Sequence, residues 1–174
     1  MANKYEKYIQ PWDGSHTHRL GPVVARLDND VFEGSNFYYI HWVMPSNDPP
    51  MAVGHPPHIH KEAELLFHIG TDPDNPGDLG AEVEMFMGPE LERYVITQSC
   101  VIYIPAGFIH APWRPYKTTR PWIFVEVNQG PYHTEKLYPQ VLPKEIRDQV
   151  DWSRWKEHGF EEVAEAAKAA ATRA

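Results

Sequence analysis

The stretch GHPPHIHKEAELLFHIG, residues 54–70, decides how the rest of the chain is read, and IPAGFIHAP at residues 104–112 answers it further along. On an extended strand side chains alternate faces with a period of two, so His58, His60, Glu62, Glu64 and His68 would project to one side. Two histidines one residue apart on a strand can both reach a single ion. Neutral imidazole nitrogens and an ionised carboxylate suit a divalent transition metal, with Glu64 supplying an anionic oxygen that offsets part of its charge. The opposite side, Ile59, Leu65, Phe67 and Ile69, is mostly apolar. That inverts the usual strand with a dry inside and a wet outside, so the polar face must line a cavity while the apolar face needs cover from another layer or subunit.

The two stretches resemble the paired motifs of the cupin superfamily. The first has the form HxHxxxE followed by a glycine, and reads here as His58, His60 and Glu64 with Gly70 behind. The second has the form PxGxxH, and reads as Pro105, Gly107 and His110. The resemblance implies His58, His60, Glu64 and His110 as four metal ligands. It also implies an all-β fold, a double-stranded β-helix or jelly-roll barrel. The likeness extends over roughly residues 34–128. Three details depart from the pattern: Gly70 comes slightly early, the inter-motif segment is longer than in a minimal cupin, and Arg114 stands where a terminal Asn would fall. Pro105 and Gly107 make a tight turn that can present His110 back to the barrel interior. If the chain bends after His60, as the family pattern implies, Glu62 turns to solvent and Glu64 is the ligand.

Composition bounds the rest. A chain of 174 residues with 42% apolar content is the length of one domain with a real core. Its 17 prolines, nine Tyr and six Trp favour a β-rich chain with many fixed turns. A formal charge of −8 and no basic stripe argue against nucleic acid. Cys100, the single cysteine, excludes an internal disulfide and reads as a buried small hydrophobe. No basic region followed by an apolar run opens the chain and no segment reaches the ~20 apolar residues of a membrane span, so the expectation is a cytoplasmic protein.

The chain divides into an N-terminal arm at residues 1–33, a barrel core at 34–130, and an irregular crossing segment with C-terminal helices at 131–174, all within one domain. In the arm, His16 and His18 form a second His-x-His, but no carboxylate follows and the pair reads as a solvated loop. Residues 36–44, NFYYIHWVM, are the clearest strand before the motif, with Phe37, Tyr39, His41 and Val43 on one face. His41 there either lines a pocket or is a satisfied core residue. His55 reads as a loop residue at the cavity mouth. His68 reads as a group touching the ligands or the substrate, or as core packing. Residues 71–80 form a solvated connection. Strands follow at 81–87, 93–96, 99–104 and 121–129. Phe108, Trp113 and Tyr103 can decorate the cavity wall. Arg114, Lys117 and Arg120 form a basic cluster that reads first as a solvated loop, and that at the cavity mouth would suit an anionic substrate. Residues 143–158 and 160–171 read as helices.

Three histidines and one glutamate would leave two adjacent positions of an octahedral ion for water, substrate or oxygen. The expectation is a metal-dependent enzyme acting on a small organic acid or phenolic compound. An iron oxygenase, hence an oxidoreductase, comes first, with manganese, nickel or zinc as other metals. A non-oxidative isomerase or lyase using His41 or His68 as acid or base is the alternative, and a ligand-binding or sensor protein the third. The substrate pocket is expected to include Tyr39, Phe108, Trp113 and Arg114. The partners are a small molecule and a second copy in a homodimer.

Overall fold

The computed structural model describes residues 4–46 and 53–160. The strands, in chain order, are β1 (Thr17–His18), β2 (Gly21–Leu27), β3 (Phe37–Val43), β4 (His58–Ile59), β5 (Glu64–Gly70) and β6 (Asp78–Met87). After them come β7 (Glu92–Gln98), β8 (Cys100–Ile104), β9 (His110–Thr118), β10 (Trp122–Asn128) and β11 (Lys136–Leu137). They build two antiparallel sheets, one in the order β1-β2-β3-β10-β5-β8 and the other β11-β4-β9-β6-β7. Successive strands repeatedly switch sheets, which is the arrangement of a double-stranded β-helix.

The alternation written into β3, β5, β6 and β10 sorts side chains between the sheets. Val43, Leu66, Leu79, Val83, Met85, Ile104, Trp122 and Phe124 point inward and pack into one buried cluster. Burying each large apolar side chain stabilises by about 1.5–3 kcal/mol. Gly70 ends β5 because the Asp78 backbone passes there: a Cβ would lie 2.2 Å from the Asp78 carbonyl oxygen.

Three expectations change here. The run from residue 58 to 68 is not one strand. β4 pairs with β9 in one sheet and β5 with β10 and β8 in the other, so the chain crosses the barrel between them. Glu62, in that crossing, leans its Cγ and Cδ towards Gly130 instead of joining the other carboxylate. Secondly, the helix expected over residues 143–158 shrinks to α1 (Lys144–Arg147) flanked by 3-10 turns at Pro139–Val141 and Trp152–Arg154. The Asp151 side chain accepts from the Ser153 amide and starts a new turn, a local bond that competes with helix propagation. The chain beyond returns as an extended strap, with the Glu135 and His158 backbones bonded both ways. The other predicted helix lies outside the described residues. Thirdly, residues 114–118 are strand, and the basic cluster is neutralised. Arg114 pairs with Glu84, Lys117 with Glu82 at 2.6 Å, and Arg120 with Asp78 at 2.8 Å. Glu84, almost fully buried, also takes Arg93 at 2.7 Å. Burial alone would raise its pKa, but the two guanidinium partners hold it below the usual carboxylate value.

Candidate metal centre

His58 on β4 is the register partner of His110 on β9, so two of the four predicted ligands are cross-strand neighbours. His60 follows β4 directly, and Glu64 opens β5 in the facing sheet. The structure brings the four together. His58 Nε2 and His60 Nε2 lie 3.1 Å apart, His60 Nε2 and Glu64 Oε1 3.1 Å, and His110 Nε2 and Glu64 Oε2 3.1 Å. None of the four is more than 4% exposed.

The other ring nitrogens fix the chemistry of this cluster. His58 Nδ1 donates to the Pro56 carbonyl at 2.7 Å, His110 Nδ1 to Phe108 O at 3.1 Å, and His60 Nδ1 to Thr134 O. A carbonyl only accepts, so each Nδ1 carries the proton, and a neutral ring then turns a lone pair outward at Nε2. With all three rings neutral, three lone pairs and a carboxylate converge without a donor between them. Glu64 Oε2 is buried with no hydrogen-bond partner, as an acceptor facing acceptors must be. A divalent transition metal fits this donor set.

Electrostatics point the same way. Burial, reinforced by neighbouring His110, pushes the His58 imidazole well below its ordinary pKa and keeps it neutral. Burial also works against a charge on His60, but the Glu64 carboxylate outweighs it and lifts that ring to about 9. Glu64 is held far below the carboxylate range, because His60 and His110 overcome its own burial penalty. A proton and a metal ion therefore compete for the same His60 lone pair. Behind the cluster, fully buried Asn128 donates Nδ2 to Glu64 Oε1 at 3.0 Å. Loss of such an outer partner costs about 10–100-fold in metal affinity. The Asn128→Ala protein is expected to show that weakening in a competition titration against a chelator, and unchanged affinity would remove Asn128 from the site.

The site opens on one side. A cavity of about 790 Å³ is lined by His58, Glu64 and His110, while His60 lies behind them. Tyr39, Trp113 and Arg114, three of the expected pocket residues, line its wall, as does His41. Phe108 instead packs against the core cluster. Tyr103 is 56% exposed on the outer face, because β8 places it opposite the inward-pointing Ile104. Cys100 is half-buried, and burial raises its thiol pKa.

His68 sits deeper than the cavity wall, fully buried, stacked on Trp122 at 5.3 Å and accepting at Nε2 from Trp113 Nε1 at 3.0 Å. Burial depresses its pKa from 6.5 to about 4. The unfolded chain therefore binds the His68 proton first as acid is added. Stability from this group is complete above pH 6.5 and declines as the pH falls towards 4, by up to about 3 kcal/mol at ~1.4 kcal/mol per unit. Urea unfolding at pH 7 and pH 4.5 should show that loss in the native protein and a flatter dependence in His68→Gln. Equal slopes would mean that His68 does not drive it.

Several neighbours were not legible as site residues, while His55, expected at the cavity mouth, does line the cavity. His18, read as a loop histidine, lines the cavity beside His41, with ring centroids 4.4 Å apart. Its short strand pairs with β2, and a two-residue strand leaves no periodicity to find. His133 packs on His60 at 5.1 Å, with Nε2 3.2 Å from Glu126 Oε1. His55 stacks on His58 at 4.3 Å and meets Glu135 Oε2 through Nε2 at 2.9 Å. Glu135 stays below the carboxylate value despite its burial because of that His55 contact. Its position far along the chain gave no sequence signal.

No family model matches the chain, and no curated protein matches it. Among solved structures it is similar to oxalate decarboxylases, one at 16% identity over 78% of this chain and 34% of that chain, with a TM-score of 0.48. A second, the Bacillus subtilis oxalate decarboxylase studied for its Mn(II) centres, matches at 15% identity over 80% of this chain and 36% of that one, with a TM-score of 0.49. The chain thus spans about a third of the length of these enzymes. An uncharacterised Klebsiella pneumoniae protein with a double-stranded β-helix domain matches at 14% identity over 79% of this chain and 96% of that one, with a TM-score of 0.46. Among the described residues no helix is long and apolar enough to cross a membrane. The strand order of the two sheets and the histidine cluster between them give this chain the cupin fold, with a candidate metal centre at the inner end of its cavity.

Proposed function

We propose that the protein is a metal-dependent enzyme acting on an organic acid or phenolic compound, with an iron oxygenase as the first reading. The observation that carries it is the one-sided opening of the centre. A structural metal site is closed by its protein ligands, whereas here His58, Glu64 and His110 face a cavity large enough for a substrate. A bound divalent metal would supply Lewis acidity towards an oxygen-donor substrate and, as iron, one-electron chemistry with dioxygen. The chain's own residues do the remaining work. The Nδ1 bonds to Pro56, Thr134 and Phe108 hold the imidazoles in one tautomer, and Asn128 orients the Glu64 carboxylate. Trp113 and Phe124, with centroids 4.6 Å apart, offer an aromatic wall that limits water around the substrate.

A second reading, a non-oxidative isomerase or lyase, is favoured by the His55–Glu135 pair stacked on the ligand His58. Such a pair can hold and pass a proton beside the centre. Oxygen uptake by the iron-loaded protein across a panel of hydroxy acids and phenols separates the two. Stoichiometric uptake supports the oxygenase, turnover without uptake supports the isomerase or lyase, and saturable binding without turnover leaves a binding protein. The proposal includes a homodimer joined through the outer face of the six-stranded sheet, where Ile69, Val101 and Tyr103 are 40%, 48% and 56% exposed. Light scattering on the purified protein tests that mass.

A further inference from the structure

We propose that His18 and His41 form a distal subsite that recognises one hydroxyl group at the far end of an elongated substrate whose other end meets the metal centre. This deepens the functional reading above and rests on it.

The register of the six-stranded sheet sets the distance. Glu64, Asn128 and Phe37 share one row across β5, β10 and β3; Leu66, Glu126 and Tyr39 form the next inward row; His68, Phe124 and His41 form the one after. Four residues at ~3.3 Å each place His41 about 13 Å along the strands from the Glu64 row. His18 reaches the same spot from β1, and both rings line the cavity that His58 and Glu64 line. A ligand of only a few atoms at the metal would leave most of a cavity of about 790 Å³ unfilled.

The backbone assigns the two rings opposite roles. The Leu20 amide can only donate, and it donates to His18 Nδ1 at 3.3 Å, so the neutral His18 ring carries its proton on Nε2. The Trp42 carbonyl can only accept, and it lies 2.9 Å from His41 Nδ1, so the neutral His41 ring presents a lone pair at Nε2. Neither Nε2 has a hydrogen-bond partner among the described residues, and no hydrogen bond joins the two rings although their centroids are 4.4 Å apart. A hydroxyl both donates and accepts and so satisfies the pair with one atom. A carboxylate would leave the His41 lone pair without a donor, and an ammonium would leave the His18 N–H without an acceptor. Burial keeps both rings uncharged: it lowers His41 and, with the neighbouring His41, takes His18 down to about 4. Between the two ends the wall carries Leu66 and Tyr39 together with the Glu126 carboxylate, which His133 Nε2 meets at 3.2 Å, and Tyr39 and Phe124 lie 5.4 and 5.3 Å from His41. The substrate class is therefore a metal-chelating oxygen compound carrying an aromatic or apolar spacer and a remote hydroxyl.

Two probes test this on the metal-loaded protein: 4-phenylcatechol, and 4-(4-hydroxyphenyl)catechol, which adds only the remote hydroxyl. Calorimetric titration is expected to show the hydroxylated probe binding at least about tenfold more tightly. In His41→Phe and in His18→Phe the gap should shrink to about twofold or less, with 4-phenylcatechol affinity and metal content held. Equal affinities in the native protein, or a gap that survives both substitutions, would overturn the subsite. The native comparison decides alone if a variant folds poorly. A native protein that takes up no metal after reconstitution overturns the metal reading and the subsite together. Metal retained with equal probe affinities overturns the subsite and leaves the metal reading standing.

Discussion

The His58→Ala, His110→Ala protein is expected to carry no more than about a tenth of the transition metal bound by the native chain, because even loss of an outer partner costs about 10–100-fold in affinity. Two of the four converging donors are gone in this variant, and those two are cross-strand partners that hold one side of the cluster. What remains is the His60–Glu64 pair, which in the absence of metal prefers a shared proton, as the raised His60 pKa of about 9 shows. Elemental analysis of untagged native and variant protein, purified without added metal, measures the difference. Iron, manganese or nickel near one equivalent in the native protein and absent from the variant supports the centre. Equal metal in both would place the ion elsewhere. The test is sharpened by pH, since acid returns protons to the histidine lone pairs and releases metal, while neutral pH favours it.

Replacing Trp122 by Ala is expected to cost about 3–5 kcal/mol of folding stability, the largest effect of any single core truncation proposed for this chain. Trp122 is fully buried and begins β10, the strand between β3 and β5, where its register partners are Val43 and Gly70. Gly70 brings no side chain to that flank, where the Asp78 backbone passes instead. His68 stacks on Trp122 at 5.3 Å, while Phe124 and Trp113 stand edge-on at 6.2 and 6.4 Å. Alanine would therefore leave a cavity walled by rigid rings that cannot collapse into it. Urea denaturation followed by circular dichroism should show the midpoint falling with the slope unchanged. A cost below about 1 kcal/mol would mean that the rings repack freely.

Both expectations join features read at very different depths of the sequence. The four converging side chains were legible through the likeness of residues 58–64 and 105–110 to the paired cupin motifs, and the β architecture also through the aromatic alternation along residues 36–44. The inner face of β3, from Phe37 to Val43, follows that alternation and lines the cavity as far as the sequence pattern runs. The basic cluster at Arg114, Lys117 and Arg120 misled for the opposite reason. Its carboxylate partners Glu84, Glu82 and Asp78 lie on β6, and only the pairing of β6 with β9 shows that the charges are taken up.

By itself, then, the sequence singled out, through its likeness to the cupin motifs, four residues suited to a metal and implied a β-barrel around them, since a motif and a strand period are properties of a few consecutive residues. The family pattern implied a bend after His60, but only the tertiary structure decided that the chain changes sheets there, and that His68 belongs to a tryptophan-walled core. It alone brought Asn128, His133 and Glu135 behind the ligands, and His18 against His41 at the cavity's far end. Those choices depend on which strands become neighbours across the sheet. That pairing is set by the burial of many side chains at once, and no short stretch of sequence encodes it.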